Sequence, residues 1–325
     1  MSSSEHTPIA VHIVAPSRLH FGLMAFGASG SQFGGVGAMI DRPGVRLTVR
    51  RSGRFEVVGE HDRRVTDFAR QFLLRTGESA EPACRIEIVR SARQHVGLGT
   101  GTQLGLATVA GLAAFLGHEA RSPDELAQLA GRGRRSSIGT HGFFCGGLLY
   151  EETRPRKAGL APLEKRFDLP ASWRGLLACP REGRGLSGDA EQKAFAELPP
   201  VSAEVTASLR ADVRERMIPA IEAADFDAFS ESLYHYGVAA GNCFAPRQGG
   251  PFAAPRFSRL VAEMRELGIR GVGQSSWGPT IFGLCRSAEA ADEFRRQLAR
   301  SPSNDDLQYT SAAPNNHGAD IQREF

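Results

Sequence analysis

The sequence predicts an α+β fold in two lobes, on three observations. Short alternating segments fill residues 9–89, helical spacing dominates 190–240, and the chain closes in a strand, strand, helix, strand order of ferredoxin type. At 325 residues the chain is comfortable for two domains.

Alternation at Ile9–Val14, Val45–Val49, Arg54–Val58 and Arg85–Val89 predicts strands, with Arg50-Arg51-Ser52-Gly53 as a turn between two of them. Val65, Phe68, Ala69, Phe72 and Leu73 stand at helical spacing within Asp62–Gly77. Thr102–Leu116 is apolar on nearly every face, which predicts a buried helix ended by Gly117. Ser122-Pro123-Asp124-Glu125 is a capping box opening a short helix to about Arg132, and Phe143–Tyr150 returns to a strand. The charged stretch Glu151–Lys157, with Pro155, predicts the hinge that divides the chain into lobes 1–155 and 156–325.

Beyond the hinge, Leu176–Cys179 reads as a buried strand and Pro180–Gly188 as a loop. Helices follow over Ser202–Met217 and Phe226–Ala240, then a Pro/Gly-rich loop, Asn242–Pro255. The ending comprises a helix at Phe257–Leu267, strands at Gly271–Gly273 and Thr280–Cys285, a helix at Ala288–Ala299 and a strand at Leu307–Thr310. The last dozen residues read as a loose tail.

Composition excludes several functions. With 41% hydrophobic and 23% charged residues and a net charge of +3, the chain is neither strongly basic nor disordered, so neither a nucleic acid nor a membrane is the expected partner. No apolar run reaches membrane-spanning length, and Met1–Pro8 lacks the pattern of a signal peptide. Five scattered cysteines suggest reduced thiols, not a disulfide frame or a zinc site, so a cytoplasmic location is expected. The 39 basic residues are nearly all arginine, which forks well onto phosphates and carboxylates and suits an anionic small molecule. Arg132-Gly133-Arg134-Arg135 has no interleaved aromatics and reads as a helix end or part of an anion pocket, not an RNA site.

One motif carries chemistry. In His95-Val-Gly-Leu-Gly-Thr-Gly-Thr-Gln-Leu-Gly-Leu106, alternating glycines join a strand to a helix and turn its first N–H groups toward an anion. No lysine follows, so it is not a P-loop, and Leu104 stands where a dinucleotide fingerprint needs its third glycine. Gly97, Gly99 and Gly101, with Thr100 and Thr102, are therefore candidates to bind phosphate, the other reading being a packing turn.

Three segments in register resemble the GHMP superfamily of small-molecule kinases, which includes galactokinase, homoserine kinase and mevalonate kinase. They are Ala15-Pro-Ser-Arg18, the loop at 96–102 and Gly271-Val-Gly-Gln-Ser-Ser-Trp-Gly-Pro-Thr280. A closer resemblance is to a non-kinase branch, the β-ribofuranosylaminobenzene 5'-phosphate synthases. It rests on Ser17-Arg-Leu-His-Phe-Gly-Leu23, Phe33-Gly-Gly-Val-Gly-Ala-Met-Ile-Asp41, Arg184-Gly-Leu-Ser-Gly188 with Glu191 and Phe195, and Gln248-Gly-Gly250. The resemblance implies an N-terminal lobe like domain 2 of ribosomal protein S5 and a ferredoxin-like C-terminal lobe. It further implies decarboxylating transfer from phosphoribosyl pyrophosphate (PRPP) to 4-aminobenzoate or 4-hydroxybenzoate in tetrahydromethanopterin synthesis. Mg²⁺ accompanying PRPP, no organic cofactor, and a homodimer follow from the same likeness.

Under that reading Arg18 clamps a phosphate or the benzoate carboxylate, and His20 faces the same side two residues on. Asp41 binds Mg²⁺ or stabilises the sugar cation, the other reading being turn chemistry with Pro43 and Gly44. The kinases place an aspartate in the segment where Ser136-Ser-Ile-Gly-Thr-His-Gly142 offers His141 instead, and His141 is a candidate proton shuttle or, equally, a helix cap. Arg181, Arg184 and Ser187 belong to a polar loop of the type that closes over substrates, and Gln248 to a second such element. Gly273, Ser275 and Ser276 are expected to line the phosphate pocket, with Gly271 beside them and Trp277 in packing. Two other functions stay open: an ATP-dependent kinase of a small alcohol or acid, and a non-catalytic metabolite sensor.

Overall fold

The computed structural model describes residues 8–27, 31–118, 122–133, 135–155, 159–183, 185 and 188–325. The first lobe opens with two long strands, β1 (Ala10–Ala25) and β2 (Ser31–Arg51), followed by β3 (Glu56–Gly59), α1 (Asp62–Thr76), β4 (Cys84–Ser91) and α2 (Thr100–Leu116). Next come α3 (Pro123–Ala130), α4 (Ile138–Cys145), β5 (Leu148–Glu151), β6 (Arg154–Pro155) and β7 (Leu163–Phe167). The second lobe runs β8 (Arg174–Pro180), α5 (Gly188–Glu197), α6 (Ala203–Asp212), a π-helical turn over Val213–Met217, α7 (Ile218–Glu222), α8 (Phe226–Asn242) and α9 (Ala245–Gln248). It closes with α10 (Pro255–Glu266), β9 (Val272–Gln274), β10 (Ile281–Cys285), α11 (Ala288–Leu298) and β11 (Leu307–Ala312), after which β12 (Asp320–Glu324) returns to the first lobe.

Two sheets organise these elements. The first has the path β12-β1-β2-β4-β3, with β5 and β6 on the far half of β2 and β7 on β5. The second has the order β11-β8-β10-β9, antiparallel throughout, and with α11 between β10 and β11 this is the ferredoxin-like arrangement the ending predicts. The 155/156 boundary falls between β6 and β7, and β7 still pairs with β5.

Alternation decides what each sheet covers. Val11, Ile13, Val45, Leu47 and Val49 point inward against Phe68, Phe72, Leu104 and Leu112 of α1 and α2, so α2 is buried nearly all round, as its composition requires. A second core joins the lobes, packing Leu19, Phe21, Val36 and Ala38 against Leu177, Phe282, Leu233 and Tyr236. The capping box is as expected, with the Glu125 amide donating to the Ser122 hydroxyl at 3.1 Å.

Two expectations are corrected. The C-terminal residues are not a loose tail: Ala10–Val14 of β1 pairs antiparallel with Asp320–Glu324. Phe143 and Phe144 lie in α4, and the strand expected from Phe143 begins only at Leu148.

Candidate active site

The lobes meet at the glycine turn. Its carbonyls are consumed by the protein: Leu98 O accepts the Arg18 amide at 3.0 Å, Gly97 O accepts the Ser275 hydroxyl at 2.7 Å, and Val96 O accepts the Thr280 hydroxyl at 2.6 Å. A Cβ at Gly97, whose φ is +91°, would collide with the Ser275 carbonyl, so the close approach of the lobes requires glycine there. Gly99 then caps α2 in a left-handed conformation without any side-chain cap, and the amides of Thr100 and Gly101 have no partner among the described residues. Spent carbonyls and open amides leave this turn electropositive.

Two arginines flank it. A Cβ on Gly99 would stand 3.2 Å from Cβ of Arg18, and one on Gly101 2.5 Å from a guanidinium nitrogen of Arg64. Arg18 donates to Gly97 O at 3.3 Å, while its buried Nε has no partner. Burial pulls its pKa down to about 10, against the opposing pull of Glu151, so the guanidinium stays charged at neutral pH.

Arg18 and Arg64 open onto a cavity of about 390 Å³, within the usual range for small-molecule sites. Arg132 and Arg135 line it as well, and Phe195, Phe244 and Trp277 give it an aromatic wall. Those rings pack edge to face, with Trp277 4.9 Å from Phe244 and 5.5 Å from Phe195 between centroids. Arg135 pairs with Glu191 at 2.7 Å and lies over Phe195. His20 reaches the same space, its Nε2 3.1 Å from the Ser136 hydroxyl. Burial and the charge of Arg18 hold its pKa well below the ordinary histidine value, so the ring is neutral.

Residues 63–147 match the family described as GHMP kinases N terminal domain, and residues 217–304 match GHMP kinases C terminal. Beta-ribofuranosylphenol 5'-phosphate synthase of Methanothermobacter thermautotrophicus is 30% identical, over 85% of this chain and 89% of that protein. The chain belongs to this synthase family, within the GHMP kinase superfamily. The synthase of the same name from Archaeoglobus fulgidus is 29% identical, over 84% of this chain and 87% of its own. Among solved structures, homoserine kinase from Cytophaga hutchinsonii has a TM-score of 0.64 at 15% identity, covering 99% of both chains. Mevalonate diphosphate decarboxylase from Staphylococcus aureus has a TM-score of 0.65 at 13% identity, covering 97% of this chain and 98% of that one. At those identities the two structures show the shared fold.

Of the residues expected at the synthase site, the cavity gathers Arg18, His20, Gly97, Gly99, Thr100, Gly101, Thr102, Gln248 and Ser276. Thr100 turns its amide to the open end of α2, while its hydroxyl donates to the Arg93 carbonyl at 3.1 Å. Ser275 is a strut, not a ligand: fully buried, it accepts the His20 amide at 3.1 Å and donates to Gly97 O. Gly273 lies outside the lining, and a Cβ there would meet the Phe282 ring. Arg181 is also outside, with its amide on Asp306 O. Arg184 and Ser187 lie outside the described residues.

Two catalytic assignments are corrected. Asp41 does not line the cavity; its carboxylate accepts the Ala313 amide at 2.7 Å and pairs with Arg42, fastening the chain that leads into β12. His141 is likewise absent from the lining, and its Nε2 meets the Ala161 carbonyl at 2.8 Å. Magnesium takes oxygen ligands, commonly one or two carboxylates beside substrate phosphates. Glu191 is the one carboxylate among the described lining residues, it is already paired, and no group of three metal-ligating side chains occurs among the described residues. Among the described residues the lining therefore offers a metal one carboxylate, already engaged by Arg135, and Asp41 lies away from it.

Sequence reasoning missed Arg64 and Glu151. Arg64 sits on the first turn of a helix whose pattern signals only its buried face. Glu151 continues the apolar run Leu148-Leu149-Tyr150, a signal that argued for burial over a hinge. Among the described residues no helix is long and apolar enough to cross a membrane.

Proposed function

We propose that this chain transfers the 5-phosphoribosyl group of PRPP to a para-substituted benzoate, releasing pyrophosphate and carbon dioxide, in tetrahydromethanopterin synthesis. The observation that carries the reading is a single cavity in which the open amides of α2, four arginines and an aromatic wall stand together. The relatives' name gives a ribofuranosylphenol 5'-phosphate as product. A phenol product implies 4-hydroxybenzoate as the acceptor once the carboxyl group is lost.

In this reaction the bond from the anomeric carbon to pyrophosphate breaks and its electron pair leaves with the phosphate. The ring carbon that bears the carboxylate forms the new carbon–carbon bond, drawing electrons from the para oxygen, whose proton is taken up nearby. The carbon–carboxylate bond then breaks, CO₂ departs, its electron pair restores the aromatic ring, and the proton returns to the para oxygen. The amides of Thr100 and Gly101, with Arg18 and Arg64, stabilise the negative charge growing on pyrophosphate, where preorganised donors act most strongly. Phe195, Phe244 and Trp277 stack the benzoate and exclude water, while neutral His20 accepts the hydroxyl proton. Among the described lining residues the one carboxylate, Glu191, is paired with Arg135 and not free to serve an acceptor hydroxyl, which favours attack at carbon over attack at phosphorus.

Thermal denaturation tests the reading against the kinase alternative. PRPP raises the melting temperature in a concentration-dependent way and ATP does not; stabilisation by ATP alone would overturn it. The homodimer and the cytoplasmic location belong to the same proposal, the first checked by light scattering.

A further inference from the structure

Behind the cavity lies a carboxyl group that the proposed chemistry has not used. Glu151, at the end of β5, is fully buried. One oxygen, Oε2, accepts the Ser137 amide at 2.7 Å; the other, Oε1, is sealed from solvent and has no hydrogen-bond partner, and the Ser136 hydroxyl is the side chain that most favours the charged form of the carboxyl. The same Ser136 hydroxyl stands 3.1 Å from Nε2 of His20 and 3.3 Å from the Ile138 amide. Nδ1 of His20 has no protein partner among the described residues, although the residue lines the cavity.

We propose that Glu151 is a positioning residue that sets the tautomer of His20 through the Ser136 hydroxyl. A hydroxyl gives one proton and accepts two, so the chain Glu151, Ser136, His20 has two consistent polarities. With Glu151 ionised, Ser136 donates to the carboxylate and accepts from Nε2–H, which leaves Nδ1 a bare acceptor. With Glu151 protonated, the acid donates to Ser136, Ser136 donates to Nε2, and the proton sits on Nδ1. Only the first state presents a base to an acceptor's hydroxyl.

The charged and titratable neighbours place the crossover. Burial raises the Glu151 pKa to about 7, opposed by Ser136, the Ser137 amide, Arg154 on β6 and Arg18 on β1. The phenol of Tyr236 on α8 stays neutral, its pKa raised by burial and by Glu151 itself. His20 is held neutral by burial and Arg18, so a change in its proton position there is tautomeric and adds no charge.

The catalytic consequence rests on the transfer reaction proposed above; the tautomer does not, and it can be read without substrate. In the full chain labelled with ¹⁵N-histidine, the His20 signals are identified by their loss in His20→Asn. The ring is expected to move from Nδ1–H at pH 5.5 to Nε2–H at pH 8.5. In Glu151→Gln the Ser137 amide keeps the carboxamide oxygen toward itself and turns the NH₂ toward Ser136, which fixes His20 as Nδ1–H at both pH values. Turnover in the native chain should rise about tenfold from pH 6 to pH 8, a limb that Glu151→Gln removes. Ser136→Ala should uncouple the ring from pH and serves if Glu151→Gln fails to fold. A native spectrum with one His20 tautomer at both pH values would overturn the proposal, whatever the variants do.

Discussion

Helices α2 and α3 follow one another in the chain and begin in opposite ways. α3 closes its own N-terminus with the Ser122 hydroxyl, a proline in its first turn and two acidic residues. α2 begins at a left-handed glycine, with no side-chain cap and no acidic residue in its first turn. A self-satisfied end stabilises a helix, whereas an end left open toward two arginines and a cavity keeps its amides free to meet an anion. The same contrast separates other polar groups. Asp41 and His141 have good partners and hold chain segments together, while Arg18 Nε, Glu151 Oε1 and Trp277 Nε1 are buried without them in or behind the cavity.

The sharpest way to break this comparison is at Arg18. Arg18→Ala removes a charged donor beside the open end and should lower turnover about 10²- to 10³-fold, with Arg18→Lys recovering part; steady-state kinetics with PRPP varied checks it. Glu151 comes next, through stability. Its pKa in the fold is about 7 against an ordinary 4.5, so folding takes up a proton between those values and stability falls as pH rises through them. The loss reaches up to about 3 kcal/mol. Urea melts at pH 5 and pH 8 should show that fall in the native chain and not in Glu151→Gln.

Gly97→Ala forces a side chain into a positive φ and into the Ser275 carbonyl, and should destabilise the fold by about 2 kcal/mol or more while weakening PRPP binding. Ser122→Ala sharpens the other half of the comparison, since losing that cap should lower stability by about 1 kcal/mol and leave turnover unchanged. The smallest effect is expected at Asp41→Asn, where turnover should stay within about twofold of native because the group supports chain packing; a loss comparable to that of Arg18→Ala would restore Asp41 to the site.

Local signals were legible and distant partners were not. The capping box, the buried helix α2, the glycine turn and the ferredoxin-like order of the second sheet could all be read from periodicity and turn chemistry. β12 could not, because Asp320–Glu324 is exposed throughout and becomes a strand only by pairing with β1, some 300 residues away. α4 was misread because Phe143 and Phe144 suit a strand. As a helix it packs Gly142 against Met39 of β2, where a Cβ would fall on the sulfur, a tertiary contact that local pattern does not reveal. Asp41 and His141 were placed by likeness to relatives, which fixes chain position but not whether a carboxylate or an imidazole is already committed to a neighbouring backbone group.

The most direct measurement is release of labelled CO₂ from carboxyl-labelled 4-hydroxybenzoate by the native chain and by Arg18→Ala. Release that requires PRPP, is matched by pyrophosphate and collapses in the variant is the predicted result. No release with PRPP, together with transfer of the γ-phosphate of ATP to an acceptor, would contradict the account.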